Sequence, residues 1–190
     1  KLLDSVKEYA PNLVQEVVPD LLSLADVQKV LQNLLRERIS IRNLPAILEV
    51  LGDIGRRTKD VEILTEYARN ALSRWLCHEH AEEKKLHVVT LDPRLEEAIQ
   101  QRVEHTEGGG FLSLRPPAVQ KIVEAVAREV QRQLQGGHAA LVLTSPQIRV
   151  HVKRMTESAL PMLVVMSYNE VLPDYEVESL GMVTVDLASL

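Results

Sequence analysis

The side chains of this chain best equipped for chemistry stand together at Cys77, His78 and His80. A thiol and two imidazoles are metal-capable, and zinc takes four such donors in a tetrahedral array. Local spacing supplies three at most, and adjacent positions on a helix point apart. The competing reading is structural: a buried cysteine at a helix end, with two solvent-side histidines that favour the negative pole of the helix dipole. Ser145 lies between a strand-like run and a helix-like one, where a nucleophile can be presented. Its neighbour Pro146 and the missing glycines make it a helix cap, since a nucleophile elbow of the GxSxG type needs glycine around its strained turn. The carboxylate pairs Glu82–Glu83 and Glu96–Glu97 sit in charge runs of the kind that cover solvated faces, and Trp75 falls on an apolar stripe that reads as core. Gly108-Gly109-Gly110 lacks the Gly-Lys-Ser/Thr element of a phosphate loop and reads as a flexible connector. The expectation is a protein without catalytic, cofactor-binding or metal-ligating residues, and not an enzyme.

The composition narrows the remaining classes. With 45% hydrophobic residues in 190 the chain can bury a real core, and with 3% aromatics that core must be Leu, Val, Ile and Ala. A formal charge of −5 argues against nucleic acid as the main partner, because phosphate binding needs a concentrated basic surface. One cysteine excludes an intrachain disulfide and fits a reducing compartment. No apolar run approaches the roughly 20 residues that span a bilayer. The chain opens at Lys1 without an initiating Met, inside a helix-like pattern over Leu2–Ala10, which is expected of a piece of something longer.

The elements that must position these residues divide into two sets. The first is helical. Leu13 to Val18 forms a short segment ended by Pro19. Ser23 with Asp26 makes a variant capping box for a helix whose Val27, Val30, Leu31, Leu34 and Leu35 share one face. Asn43 or Leu44 with Pro45 opens a helix that stops near Gly55, and another runs from about Asp60 through Trp75–Leu76. The charged run His78 to Lys85 marks the boundary, giving a helical subdomain over 1–80 and an α/β subdomain over 81–190.

The second set alternates. LHVVTL (Leu86–Leu91) and AALVLT (Ala139–Thr144) read as strands, as do MLVVMS (Met162–Ser167) and Val177 to Val185. Asp92-Pro93 and Ser145-Pro146 each read as a cap followed by proline at the first helical position. The expected fold class is α+β: an N-terminal helical bundle, with a winged-helix arrangement as a variant, then about four strands in the order β-α-α-β-α-β-β. The last strand is expected beside the third.

Three short helices can also build a helix-turn-helix, so the alternative function is a winged-helix-like DNA-binding regulator. Against it, the segment Pro45 to Ile54 that would read the groove carries Glu49 and Asp53 and no basic residue. Arg36, Arg38, Arg42, Arg56 and Arg57 line one edge, or else are solvated arginines paired with Glu37 and Asp53. Arg36 and Arg38, beside the polar face of the helix from Val27, are the candidate subunit or partner contact.

Five stretches carry a resemblance: VVPDLLSLADVQKVLQNLLRERISIRNLPAILEVLGD (Val17–Asp53), ILTEYARNAL (Ile63–Leu72), LHVVTLDPRLEEAI (Leu86–Ile99), LVLTSPQIRVHVKRM (Leu141–Met155) and LPMLVVMSYNEV running on to VESLGMV (Leu160–Val183). Together they resemble the FHIPEP family, the large export-gate proteins of flagellar and type III secretion systems, with SYNEV and VESLGMV nearer the flagellar branch. The resemblance implies a parent with membrane helices upstream and four cytoplasmic subdomains, of which this chain would be the third and fourth. It further implies a ring of identical subunits at the cytoplasmic face of the bacterial inner membrane, docking export chaperone–substrate complexes. The principal chaperone cleft of such proteins lies upstream of Lys1. No cofactor, nucleic acid or direct membrane contact of this part is implied.

Overall fold

The computed structural model describes residues 11–106 and 109–189. The expected helix over Leu2–Ala10 and Gly108 of the glycine run lie outside them. The chain forms two compact units, Lys1–Leu76 with Glu107–Gly109 and Cys77–Thr106 with Gly110–Leu190.

The first unit is built from α1 (Pro11–Val17), α2 (Leu24–Arg36), α3 (Leu44–Ile54) and α4 (Val61–Ala71). Ser23 starts α2 as a complete capping box: its hydroxyl accepts from the Asp26 amide at 3.1 Å and the Asp26 carboxylate accepts from the Ser23 amide. Asp60 opens α4 by accepting from the amides of Glu62 and Ile63. The apolar faces then close on one another, burying Val14, Val17, Val27, Val30, Leu34, Ile47, Leu48, Leu51 and Leu64. The last helix is shorter than the apolar pattern predicts. Leu72 caps α4, and a separate helix, α5 (Ser73–His80), carries Trp75 and Leu76.

The second unit contains β1 (Lys85–Leu91), α6 (Pro93–Gln100), the strand pair β2 (Val103–Thr106) and β3 (Gly109–Leu112), α7 (Pro116–Gln135), β4 (Leu141–Thr144), α8 (Arg149–Thr156), β5 (Val164–Ser167) and β6 (Glu176–Val183). The main sheet runs β5-β4-β1-β6 and every pairing in it is parallel. Val89, Leu91, Val142, Val165 and Val183 from the strands pack with Leu95, Ile99, Ile122, Val126, Val130, Ile148 and Val152 from the helices.

Three expectations are corrected. β6 lies beside β1, with Lys85 opposite Glu176 and Leu91 opposite Val183, and not beside the third strand. The chain between β5 and β6 is long enough to return to the start of the sheet, and it is pinned as it passes. The Cys77 thiol donates to the Glu170 carbonyl at 3.2 Å, and Lys84 pairs with Asp174 at 3.1 Å. The glycine run enters a strand pair, β2–β3, that its composition concealed. Ser145-Pro146 does not start a helix: residues 146–148 form a turn, and α8 begins at Arg149 with Ile148 as its N-cap.

Candidate functional site

Arg36 is the last residue of α2, and Arg38 lies beyond it, not within the helix. Glu37 caps the helix and Arg38 takes a left-handed conformation, φ 62°. The Arg38 amide donates to Leu35 and the Ile39 amide to Leu34, both at 2.9 Å, which is the hydrogen-bond pattern of a Schellman ending. That ending buries Ile39 and turns both arginines to the surface, where Leu35 beside them is half exposed. The position in the turn usually belongs to glycine, because a Cβ there crowds the following carbonyl. Glu37 points the other way, meeting the buried Arg69 guanidinium at 2.8 Å. The structure therefore leaves an exposed cationic helix end on a hydrogen-bonded turn.

The thiol and imidazoles singled out in the sequence do not converge. Cys77 is fully buried; its sulfur also accepts from the Leu172 amide, and burial raises the thiol's pKa, so it stays protonated. His78 is exposed on the same helix. Ser145 donates its amide to Glu96 at 2.9 Å, and burial lifts the Glu96 carboxyl above the usual range, partly offset by its hydrogen bonds from Ser145. Tyr168 is raised by burial and by the Glu96 charge.

Sequence reading missed a different cluster. Glu82, His87 and His138 place one donor atom each within 4.8 Å of one another. His87 and His138 are 51 positions apart, so no local motif connects them. The signals that existed were indirect: His87 inside a β-branched strand, and His138 directly after the Gly136-Gly137 helix stop.

The FHIPEP family profile matches residues 1–176. The chain belongs to this family. It is 44% identical over 186 residues to the flagellar biosynthesis protein FlhA of Bacillus subtilis, a match that covers 97% of this chain and 28% of that protein. Among solved structures it resembles the Chlamydia pneumoniae CdsV chain of the CdsV–CdsO complex, with a TM-score of 0.88, 30% identity, and 96% of this chain and 54% of that one covered. It also resembles the nonameric SctV-C of EPEC, with a TM-score of 0.86, 30% identity, and coverage of 96% and 55%. This chain thus spans about a quarter of the Bacillus subtilis relative's length and about half of each of these two solved chains. Among the described residues, no helix is long and apolar enough to cross a membrane.

Proposed function

We propose that this chain is the distal cytoplasmic part of a flagellar or type III protein export gate, a non-enzymatic ring component beneath the inner membrane that helps dock export chaperone–substrate complexes. The observation that carries this reading is a likeness extending over nearly the whole chain to a protein that assembles as a nonamer. The two compact units stand for the third and fourth cytoplasmic subdomains, with the boundary near residue 80. Arg36 and Arg38 are the ring contact: two exposed cations on a rigid turn can meet acidic groups of the neighbouring subunit without ordering a loop first. A DNA-binding role has less support, since α3 buries Leu44, Ile47, Leu48 and Leu51 and offers no basic residue.

Chaperone docking is tested by co-purification with flagellar export chaperones, comparing this chain with a version extended upstream. Capture by the extended version, with weak or no capture by this chain alone, is expected. Capture by neither would overturn the docking role.

A further inference from the structure

Four segments of the second unit are folded toward one point. The first is a tight turn: Glu82 and Lys85 exchange both backbone hydrogen bonds, at 2.9 and 2.8 Å, across Glu83 and Lys84. Both central residues have positive φ, 49° and 66°, in a turn type that normally demands Asn-Gly. This disfavoured backbone folds the Glu82 carboxylate back along β1 to within 3.6 Å of His87 Nδ1. The second is β1 itself, whose pairing sets His87 opposite Glu178.

The third segment is the end of α7. Gly137, at φ 86°, closes a Schellman motif in which the His138 amide donates to Gln133 and the Gly137 amide to Leu134. His138 is thereby carried against His87, ring centroids 4.2 Å apart, with its Nδ1 3.8 Å from the same Glu82 oxygen. Gln133 locks these pieces together. Its amide nitrogen donates to the His87 carbonyl at 2.9 Å and to the Leu141 carbonyl, and its oxygen accepts from the Leu141 amide. The fourth is β6, which supplies Glu178 at 3.3 Å from His87 Nε2.

We propose that Glu82, His87 and His138 form a binding site for a divalent transition metal of the zinc class, with Glu178 as its positioning carboxylate. Donor atoms on a tetrahedral ion with bonds of about 2.0–2.1 Å stand roughly 3.4 Å apart, close to the 3.6 and 3.8 Å spacings from Glu82 to the two imidazoles. His138 Nδ1 is buried without a hydrogen-bond partner, which costs free energy unless something fills that position. His87 shows the further feature of a metal-bound histidine: one ring nitrogen faces the ligand cluster while the other meets a carboxylate that fixes its tautomer and orientation. Two imidazoles and one carboxylate select zinc-class ions over magnesium or calcium, which prefer all-oxygen shells. Three protein ligands leave a fourth position for water or an incoming donor. Bound metal would tie the Glu82–Lys85 turn to β1 and to the end of α7.

The test is calorimetric titration of Zn²⁺ and, separately, Mg²⁺ into the chain and four variants. Binding of one Zn²⁺ and no Mg²⁺ is expected. Glu82→Gln, which keeps the backbone bonds of the turn and changes only an exposed side chain, and His138→Ala should each weaken Zn²⁺ binding at least tenfold. Glu178→Gln should weaken it about 10- to 100-fold, as loss of an outer carboxylate does. A paired His78→Ala, His80→Ala control should bind as the parent does. Substitution by Co²⁺ should give a tetrahedral spectrum without a thiolate charge-transfer band. Absence of saturable Zn²⁺ binding, affinity unchanged in Glu82→Gln, or loss of binding in the His78/His80 control would overturn the assignment.

Discussion

The two units handle polar groups in opposite ways. In the helical unit the interior is almost wholly aliphatic; its principal buried charge is Arg69, 1% exposed and paired with Glu37. The other cations described above, Arg36 and Arg38, are turned outward. In the α/β unit, polar side chains are carried inside: Gln133, Arg149, His151, Lys153 and Glu170 are all buried. Several of them close open backbone groups. Arg149 donates to the Val165 carbonyl, Lys153 to the Leu163 carbonyl at 2.8 Å, and Glu170 accepts from the Ser167 amide at 2.9 Å. A helix satisfies its own backbone except at its ends, whereas a short four-stranded parallel sheet leaves strand ends and crossovers open, and side chains must fill them.

The largest test of this contrast concerns the buried pair. Glu37→Ala should destabilise the helical unit by about 3 kcal/mol, because it removes a carboxylate that pairs with a buried guanidinium. Adding Arg69→Met should recover most of that loss in denaturant melts. Failure of the second substitution to recover stability would mean that Arg69 organises this unit as polar groups organise the other.

A pH titration probes the α/β unit. His151 is buried, and desolvation, followed by the charges of Arg154, His105 and Arg149, lowers its pKa to about 4 from the usual 6.5. Its folded pKa lies below the unfolded value, so the unfolded state binds the extra proton first. The stability contribution is fully present above pH 6.5 and is lost as pH falls toward 4. Between pH 7 and pH 5 the loss should be about 2 kcal/mol. His151→Gln should flatten that part of the stability profile; an unchanged slope would count against it.

The smallest effect lies at the end of α2. Arg38→Gly should stabilise the fold by about 1 kcal/mol, since it relieves the left-handed conformation of a residue with a Cβ. A destabilisation measured by thermal melts would show that the Arg38 side chain holds the turn itself.

How much was legible in the sequence followed the same division. The helices of the first unit were readable because amphipathic period and capping are local: Ser23 with Asp26 and Asp60 each mark a start that the structure keeps. The strands of the second were readable as runs, but their order was not. Nothing in MLVVMS or VESLGMV states that the second pairs with LHVVTL, because that depends on anchors such as Cys77 to Glu170, 93 positions apart. The candidate sites divide likewise. Arg36 and Arg38 are near neighbours in sequence and can be named from it as a candidate surface, whereas Glu82, His87 and His138 become neighbours only when a tight turn, a strand and a helix end are folded together. At Cys77 the structural reading applies, a buried thiol near a helix end with His78 exposed beside it, because proximity in sequence does not bring side chains together in space.

The central claim, that this chain belongs to a ring and meets its neighbour through the end of α2, is tested most directly by sedimentation of the complete cytoplasmic region with and without Arg36→Glu and Arg38→Glu. The parent should form a large species of ring size at high concentration, and the double charge reversal should shift it toward monomer while its melting temperature stays within a few degrees. A parent that remains monomeric at every concentration would contradict the ring, and unchanged sedimentation of the variant would contradict the surface.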